Sequence, residues 1–185
     1  MTMAKLFYVI GASGVGKDSL LEYARENLPN KSKLVFAHRY ITRAADAGNE
    51  NHVALSEKEF QRRLDLGCFA MNWESHGLRY GIGTDINQWL AKGLNVAMNG
   101  SRAYLDNASW NYPELQPVLI RVEQEILRKR LEERGRESSA EIERRLERAS
   151  KLDDLQHPQL IVINNDGDLH QAGEQLIDVL TGKVH

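Results

Sequence analysis

Leu6–Ile10 is an unbroken apolar run that ends at a glycine, the pattern of a short buried strand. From Ser19 to Leu28 the period changes: Leu20, Leu21, Ala24 and Leu28 fall on one side of a helix. Lys33–Ala37 is again apolar and β-favouring. Phe60–Leu66 returns to helical spacing, and Ser56 followed by Glu59 predicts a capping box at its start. Cys68–Trp73 predicts a strand, and Asp85–Ala91 a helix capped by Thr84. Leu94–Met98, Pro117–Val122 and Gln159–Ile163 are strand-like runs, and Leu169–Leu180 is a closing helix. Strands spaced by helices predict an α/β fold of three layers, a parallel sheet covered on both faces. Two stretches break the alternation. Residues about 37–83 are polar and glycine-dotted, which predicts an insert within a single domain. Residues 121–151 hold ten Lys or Arg and eight Asp or Glu, interrupted by Gly135 and Ser138-Ser139. That predicts two charged helices joined by a short lid at about 134–140. The second of them carries Ile142, Leu146 and Ala149 on one face.

Composition removes whole classes of function. The chain has 185 residues, is 42% hydrophobic and 27% charged, and carries a net charge of −2. These values suit an ordinary globular domain and give no global field toward nucleic acid or anionic lipid. Basic residues are matched locally by acids, so neither a nucleic-acid nor a membrane partner is expected. One cysteine, Cys68, excludes an internal disulfide framework and suits a reduced, cytoplasmic setting. The apolar run near the N-terminus is too short for a secretory segment, and no run reaches the length of a membrane span. Histidines at 38, 52, 76, 157, 170 and 185 have no metal-ligand spacing. Trp73, Trp89 and Trp110 are expected in the core.

The sharpest signal is Gly11-Ala12-Ser13-Gly14-Val15-Gly16-Lys17, which fits G-x-x-x-x-G-K between a strand and a helix. Its glycines let the backbone wrap a polyphosphate, its N–H groups and the helix N-terminus supply positive potential, and Lys17 reaches the terminal phosphates. The fold is therefore expected to be that of a P-loop NTPase, with ATP and Mg²⁺ as its ligands. The next position departs from the pattern. Asp18 stands where a Ser or Thr hydroxyl usually meets Mg²⁺, and Ser19 follows. A carboxylate is also a hard oxygen donor. Asp18 is thus a direct or water-bridged ligand, or else the metal is held elsewhere; Ser19 is expected to face an inner phosphate.

With this loop in place, further segments become recognisable: AHRYITR, AGNENHVALSE, LRYGIG, NGSRAYL, RKRLEERGRE and INNDG. Together with GASGVGKDSLL they resemble the guanylate kinase group of P-loop kinases, and within it the ribose 1,5-bisphosphate phosphokinases of phosphonate breakdown. The resemblance runs from residue 11 to residue 167. It implies ATP-dependent phosphorylation of ribose 1,5-bisphosphate to 5-phospho-α-D-ribose 1-diphosphate, and an acceptor-binding role for the insert. It also implies that Arg43 and Tyr80 hold the acceptor phosphate. The group's second acceptor arginine falls at Asp46, its guanine-reading glutamate at Met71, and its following aspartates at Asn99 and Ser101. A thioether cannot pair with guanine N–H groups, so the phosphate grip is kept and the base reader is not. Glu50, His52, Asn99 and Ser101 then suit sugar hydroxyls, and Arg102 a second phosphate.

The resemblance assigns Arg130, Arg134 and Arg145 to a lid that closes over the transferring group, and Asn164 to the adenine side. Arg128, Lys129, Arg136, Arg144 and Arg148 read instead as a solvated face. A competing enzymatic reading is a guanylate kinase; another is a kinase of neutral sugar acids. A non-catalytic binding module of the same shape is a third, which Gly16-Lys17 and three lid arginines disfavour.

Overall fold

The computed structural model describes residues 4–48, 50–135 and 137–183. Arg136 and His185, named above, lie outside the described residues, as does Asn49. In chain order the elements are β1 (Leu6–Gly11), α1 (Lys17–Asn27), β2 (Leu34–Ala37), β3 (Arg39–Ile41), β4 (Val53–Ala54), α2 (Glu57–Asp65), β5 (Phe69–Ser75), β6 (Leu78–Gly83), α3 (Asp85–Ala91) and β7 (Asn95–Asn99). They continue with a 3-10 turn (Arg102–Tyr104), α4 (Leu105–Asn111), β8 (Leu115–Arg121), α5 (Gln124–Arg134), α6 (Ser139–Asp153), β9 (Ile161–Asn164) and α7 (Leu169–Thr181). One sheet has five strands in the order β2-β7-β1-β8-β9, and a second has four in the order β4-β3-β6-β5. The chain divides into two compact units, one built from residues up to Phe7 with Lys33–Leu115, the other from Tyr8–Ser32 with residues from Gln116 on.

In the first unit β2 runs parallel to β7, pairing Leu34 with Asn95 and Ala37 with Met98. Its four-stranded sheet is made by residues of the expected insert. β3 and β5 flank β6 antiparallel, and β3 pairs parallel with the two-residue β4. The β5–β6 hairpin turns through His76 (φ 52°) and Gly77 (φ 74°). Two successive positive φ values give the turn whose twist matches the strands it joins. A Cβ on Gly81 would lie 2.6 Å from Phe69 Cε1. The glycine lets the Phe69 ring lie across β6, where it meets Phe60 and Tyr40. α2 starts with one half of the expected box: Ser56 accepts from the Glu59 amide at 3.1 Å, while the Glu59 carboxylate pairs with Arg63 at 2.8 Å. At α3 the N-cap residue is Thr84, but its side chain makes no capping hydrogen bond. Trp110, expected in the core, is 86% exposed on α4, whose buried residues are Leu105 and Ala108.

In the second unit β8 and β9 pair parallel, Val118 with Ile161 through Arg121 with Asn164. α5 and α6 form the expected charged pair. Leu127 and Leu131 are the buried residues of α5; Ile142, Leu146, Ala149 and Leu152 are those of α6. Arg128 and Glu143 join the two helices by a bidentate ion pair. α6 opens with a full capping box: Ser138 Oγ receives the Glu141 amide, and the Glu141 carboxylate receives the Ser138 amide at 2.8 Å. Those bonds to Ser138 hold the Glu141 carboxyl below the usual carboxylate range. A depressed folded-state pKa adds stability that is present above the ordinary carboxylate pKa and lost as pH falls through the folded one. Ser138→Ala removes the Oγ that caps the Glu141 amide, and loss of such an N-cap is expected to cost about 1 kcal/mol, read as a lower melting temperature at neutral pH. The deficit should shrink in acid, once Glu141 is protonated.

Candidate active site

The phosphate loop lies in the second unit, between buried β1 and α1. A Cβ on Gly11 would stand 2.8 Å from Val15 Cγ2 and 3.0 Å from Ile120 O, so the loop folds flat against β8. Gly14 (φ 96°) and Gly16 (φ 84°) take the left-handed conformations that turn the loop. Gly14 faces Leu131 and Leu127, its ideal Cβ lying 3.0 and 3.2 Å from their methyl groups. α5 is thus seated on the loop. Arg130 and Arg134 share the helix face of Leu127 and Leu131; Arg130 is half-buried and Arg134 exposed. Gly16 caps α1 without a side-chain bond. The N-terminus of that helix carries the positive potential that suits an anion.

Lys17 and Asp18 form an ion pair at 3.4 Å, with 14% and 39% of their side chains exposed. Arg145 reaches the loop directly: its Nη1 donates to Ser13 Oγ at 2.7 Å, and its Nη2 meets Glu137 Oε1 at 3.0 Å. The other oxygen of Glu137 is buried with no hydrogen-bond partner among the described residues. Asn164 ends β9 and receives a hydrogen bond from Arg121 Nε at 3.2 Å. Its neighbour Asn165 is the residue under the loop, 4% exposed, donating from Nδ2 to Val15 O at 2.8 Å. A Cβ on Gly16 would stand 2.6 Å from that Nδ2. Sequence reasoning passed over Asn165 and Glu137. Their only signal was a doubled asparagine at a strand end and an acid inside a basic stretch. Ala12, half-buried, and Ser19, exposed, complete the loop and the start of α1.

The first unit gathers the residues expected on the acceptor side. Arg43 approaches Glu50 Oε2 at 3.6 Å and His52 Nδ1 at 3.3 Å. His52 is 8% exposed, with Nε2 3.1 Å from Arg43 O and Nδ1 3.0 Å from Glu50 O. Its ring straps the loop between Arg43 and Glu50, leaving neither nitrogen directed at a sugar. Glu50 is also gripped by Arg39, whose Nε donates to Oε1 at 2.6 Å and whose Nη2 pairs with Oε2. Tyr80 is 8% exposed and stacked parallel on Trp73 at 5.6 Å, and Trp73 stacks in turn on Tyr104 at 5.4 Å. Met71 and Asn99 are buried at 1% and 5%, Ser101 is half-buried, and Arg102 is exposed.

These residues fit the ligands that a P-loop kinase requires. The uncapped helix and left-handed glycines suit a polyphosphate. Asp18, partly open to solvent, suits a cation that keeps most of its water and phosphate ligands. Among the described residues no three His, Cys, Asp or Glu converge to hold a metal, and no helix is long and apolar enough to cross a membrane.

Comparison with known proteins agrees with this picture. A family model described as an AAA domain matches residues 8–151. The structure is similar to a guanylate kinase from Anaplasma phagocytophilum, with a TM-score of 0.70 at 17% identity, covering 98% of this chain and 87% of that one. That likeness shows the fold, an α/β P-loop architecture with a five-stranded sheet. The sequence is 55% identical to ribose 1,5-bisphosphate phosphokinase PhnN of Thiobacillus denitrificans, over 98% of this chain and 95% of that protein. It is 54% identical to the PhnN of Psychromonas ingrahamii, over 97% of this chain and 91% of that protein. At such identity over almost the whole length, the chain belongs to the ribose 1,5-bisphosphate phosphokinase family of P-loop kinases.

Proposed function

We propose that this chain transfers the γ-phosphoryl group of ATP to the 1-phosphate of ribose 1,5-bisphosphate, giving 5-phospho-α-D-ribose 1-diphosphate and ADP. The observation that carries the reading is a phosphate loop kept whole in a chain whose acceptor unit keeps its phosphate arginine and buries Met71 where a base reader is expected. An oxygen of the 1-phosphate forms the new P–O bond as the bond from the γ-phosphorus to ADP breaks. A phosphate monoester has a second pKa near 6, so its oxygen is ionised at neutral pH and needs no general base.

The chain's own residues then position and neutralise charge. Lys17 grips the transferring phosphate, and the backbone of residues 11–16 cradles the others. Ser19 faces an inner phosphate. Arg145, already at Ser13, closes with Arg130 and Arg134 over the γ-phosphoryl group, and Asn164 borders the adenine. Arg43 and Tyr80 hold the acceptor phosphate, Asn99 and Ser101 meet ribose hydroxyls, and Arg102 meets the second phosphate. Mg²⁺, when bound, offsets charge on the phosphate oxygens, and Asp18 is the residue that would hold it. The reading is tested by ADP release on ribose 1,5-bisphosphate, with phosphorus NMR showing the new diphosphate. No turnover on that acceptor overturns it.

The Asp18 assignment has its own measurement. Asp18→Ala is expected to raise the Mg²⁺ concentration for half-maximal rate by about tenfold or more, and Asp18→Ser to recover part of that loss. Unchanged Mg²⁺ dependence in both variants places the metal elsewhere.

A further inference from the structure

Within the acceptor unit, two arginines converge on one carboxylate. Arg39 and Arg43 both pair with Glu50, which is 10% exposed, and the three charges sum to +1. A structural ion pair needs one cation. A second, largely desolvated guanidinium adds desolvation cost without a matching anion, so its presence calls for another negative group. Arg43 points to the same gap, since its Nε is buried with no hydrogen-bond partner among the described residues.

The geometry also pre-orients both forks. Arg39 is held between Glu50 and the face of Tyr80, its Cζ 4.8 Å from the ring centroid. Trp73 stacks on Tyr80, and Tyr104 on Trp73, which steadies the Tyr80 ring. Arg43 lies against Gly48, where an ideal Cβ would stand 3.3 Å from its Cζ and φ is 88°. His52 fixes the intervening loop. A guanidinium makes five donors in a rigid fork, and two of those on Arg39 reach Glu50.

We propose that Arg39 is a second phosphate ligand of the acceptor site, paired with Arg43 through Glu50 and supplying the cation that Asp46 cannot. The inference rests on the phosphosugar reading for the identity of the acceptor. Glu50 thereby becomes a positioning residue that spaces two guanidinium groups. Arg39 opens β3 and Arg43 lies two residues past its end, so the strand spaces the two arginines on either side of Ile41.

The test compares wild type, Arg39→Gln, Arg39→Lys and Glu50→Gln as full chains, with circular dichroism and melting as controls for folding. Two readouts are taken: steady-state kinetics with ribose 1,5-bisphosphate, and calorimetric binding of ribose 5-phosphate. Arg39→Gln is expected to raise the acceptor KM by about 10- to 100-fold while leaving the ATP KM unchanged. Arg39→Lys should recover part of this, because it keeps the charge and loses the fork. If Arg39→Gln fails to fold, Arg39→Lys carries the same comparison. Glu50→Gln should raise the acceptor KM more than it lowers kcat. An unchanged acceptor KM in folded Arg39 variants overturns the inference and leaves the proposed function standing. If wild type does not turn over ribose 1,5-bisphosphate yet binds ribose 5-phosphate in an Arg39-dependent way, the function fails and the phosphate ligand stands. If wild type binds neither compound, both fail.

Discussion

Lys17→Ala is expected to abolish phosphoryl transfer while leaving the fold intact. Lys17 directly follows Gly16, the last left-handed bend of the loop, and its amine is 3.4 Å from Asp18. Its side chain ends in a charged amine paired with a partly exposed Asp18, so melting should shift little. Catalysis is affected differently. Phosphoryl transfer relies on positioning and on charges already aimed at the developing negative oxygens. Loss of one such cation from the transferring group is expected to cost about 4 kcal/mol or more, at least a thousandfold in kcat. The measurement is single-turnover ADP formation at saturating ATP and acceptor, beside the melting curve. Near-normal turnover in a folded variant would remove the loop from the active site.

How far the site was readable in the sequence depended on how local each part is. The phosphate loop is contiguous, and its glycines carry the turn themselves, so residues 11–17 announced it. α3 was readable to its ends, Asp85 and Ala91, because a short amphipathic run is bounded by turn residues. β3, β4 and β6 were not. β4 has two residues and β3 three, too short to show a period. β6 contains Gly81 and Gly83, which read as breaks; Gly81 is in fact the seat of the Phe69 ring. α4 was missed because Asp, Asn and Ser dominate its seven residues. Arg39 was missed because its partner Glu50 lies eleven residues on, across a loop, and nothing in the intervening sequence states that they meet. Asn165 read as a turn residue, yet its amide braces Val15 from 150 positions away. Trp110 shows the opposite error: an aromatic residue was assigned to the core by type, while the two buried positions of α4 are Leu105 and Ala108.

Ribose 1,5-bisphosphate is expected to be preferred over GMP by at least about 10³ in kcat/KM, or roughly 4 kcal/mol. The two compounds share a ribose and a phosphate that Arg43 can engage, so the difference must come from what lies beyond the phosphate. For GMP that is a base with N–H donors. Met71 is 1% exposed and offers sulfur in place of a carboxylate, and Asn99 and Ser101 are neutral. Each guanine donor left unpaired on leaving water costs on the order of 1–3 kcal/mol. Two or three of them reach the stated gap. The aromatic stack adds to it. Trp73 already stacks on Tyr80 and on Tyr104, so its indole is engaged within the unit rather than kept for a purine. For the bisphosphate the remaining group is a second phosphate, which brings no N–H donor to leave unpaired and which the exposed Arg102 would meet. Met71→Glu is the matching gain-of-function variant. A carboxylate at that place should narrow the preference, at a stability cost from burying a charge. The measurement is ADP release with each acceptor at matched ATP and Mg²⁺. Comparable efficiency with GMP in the wild-type chain would return the acceptor unit to nucleotide recognition.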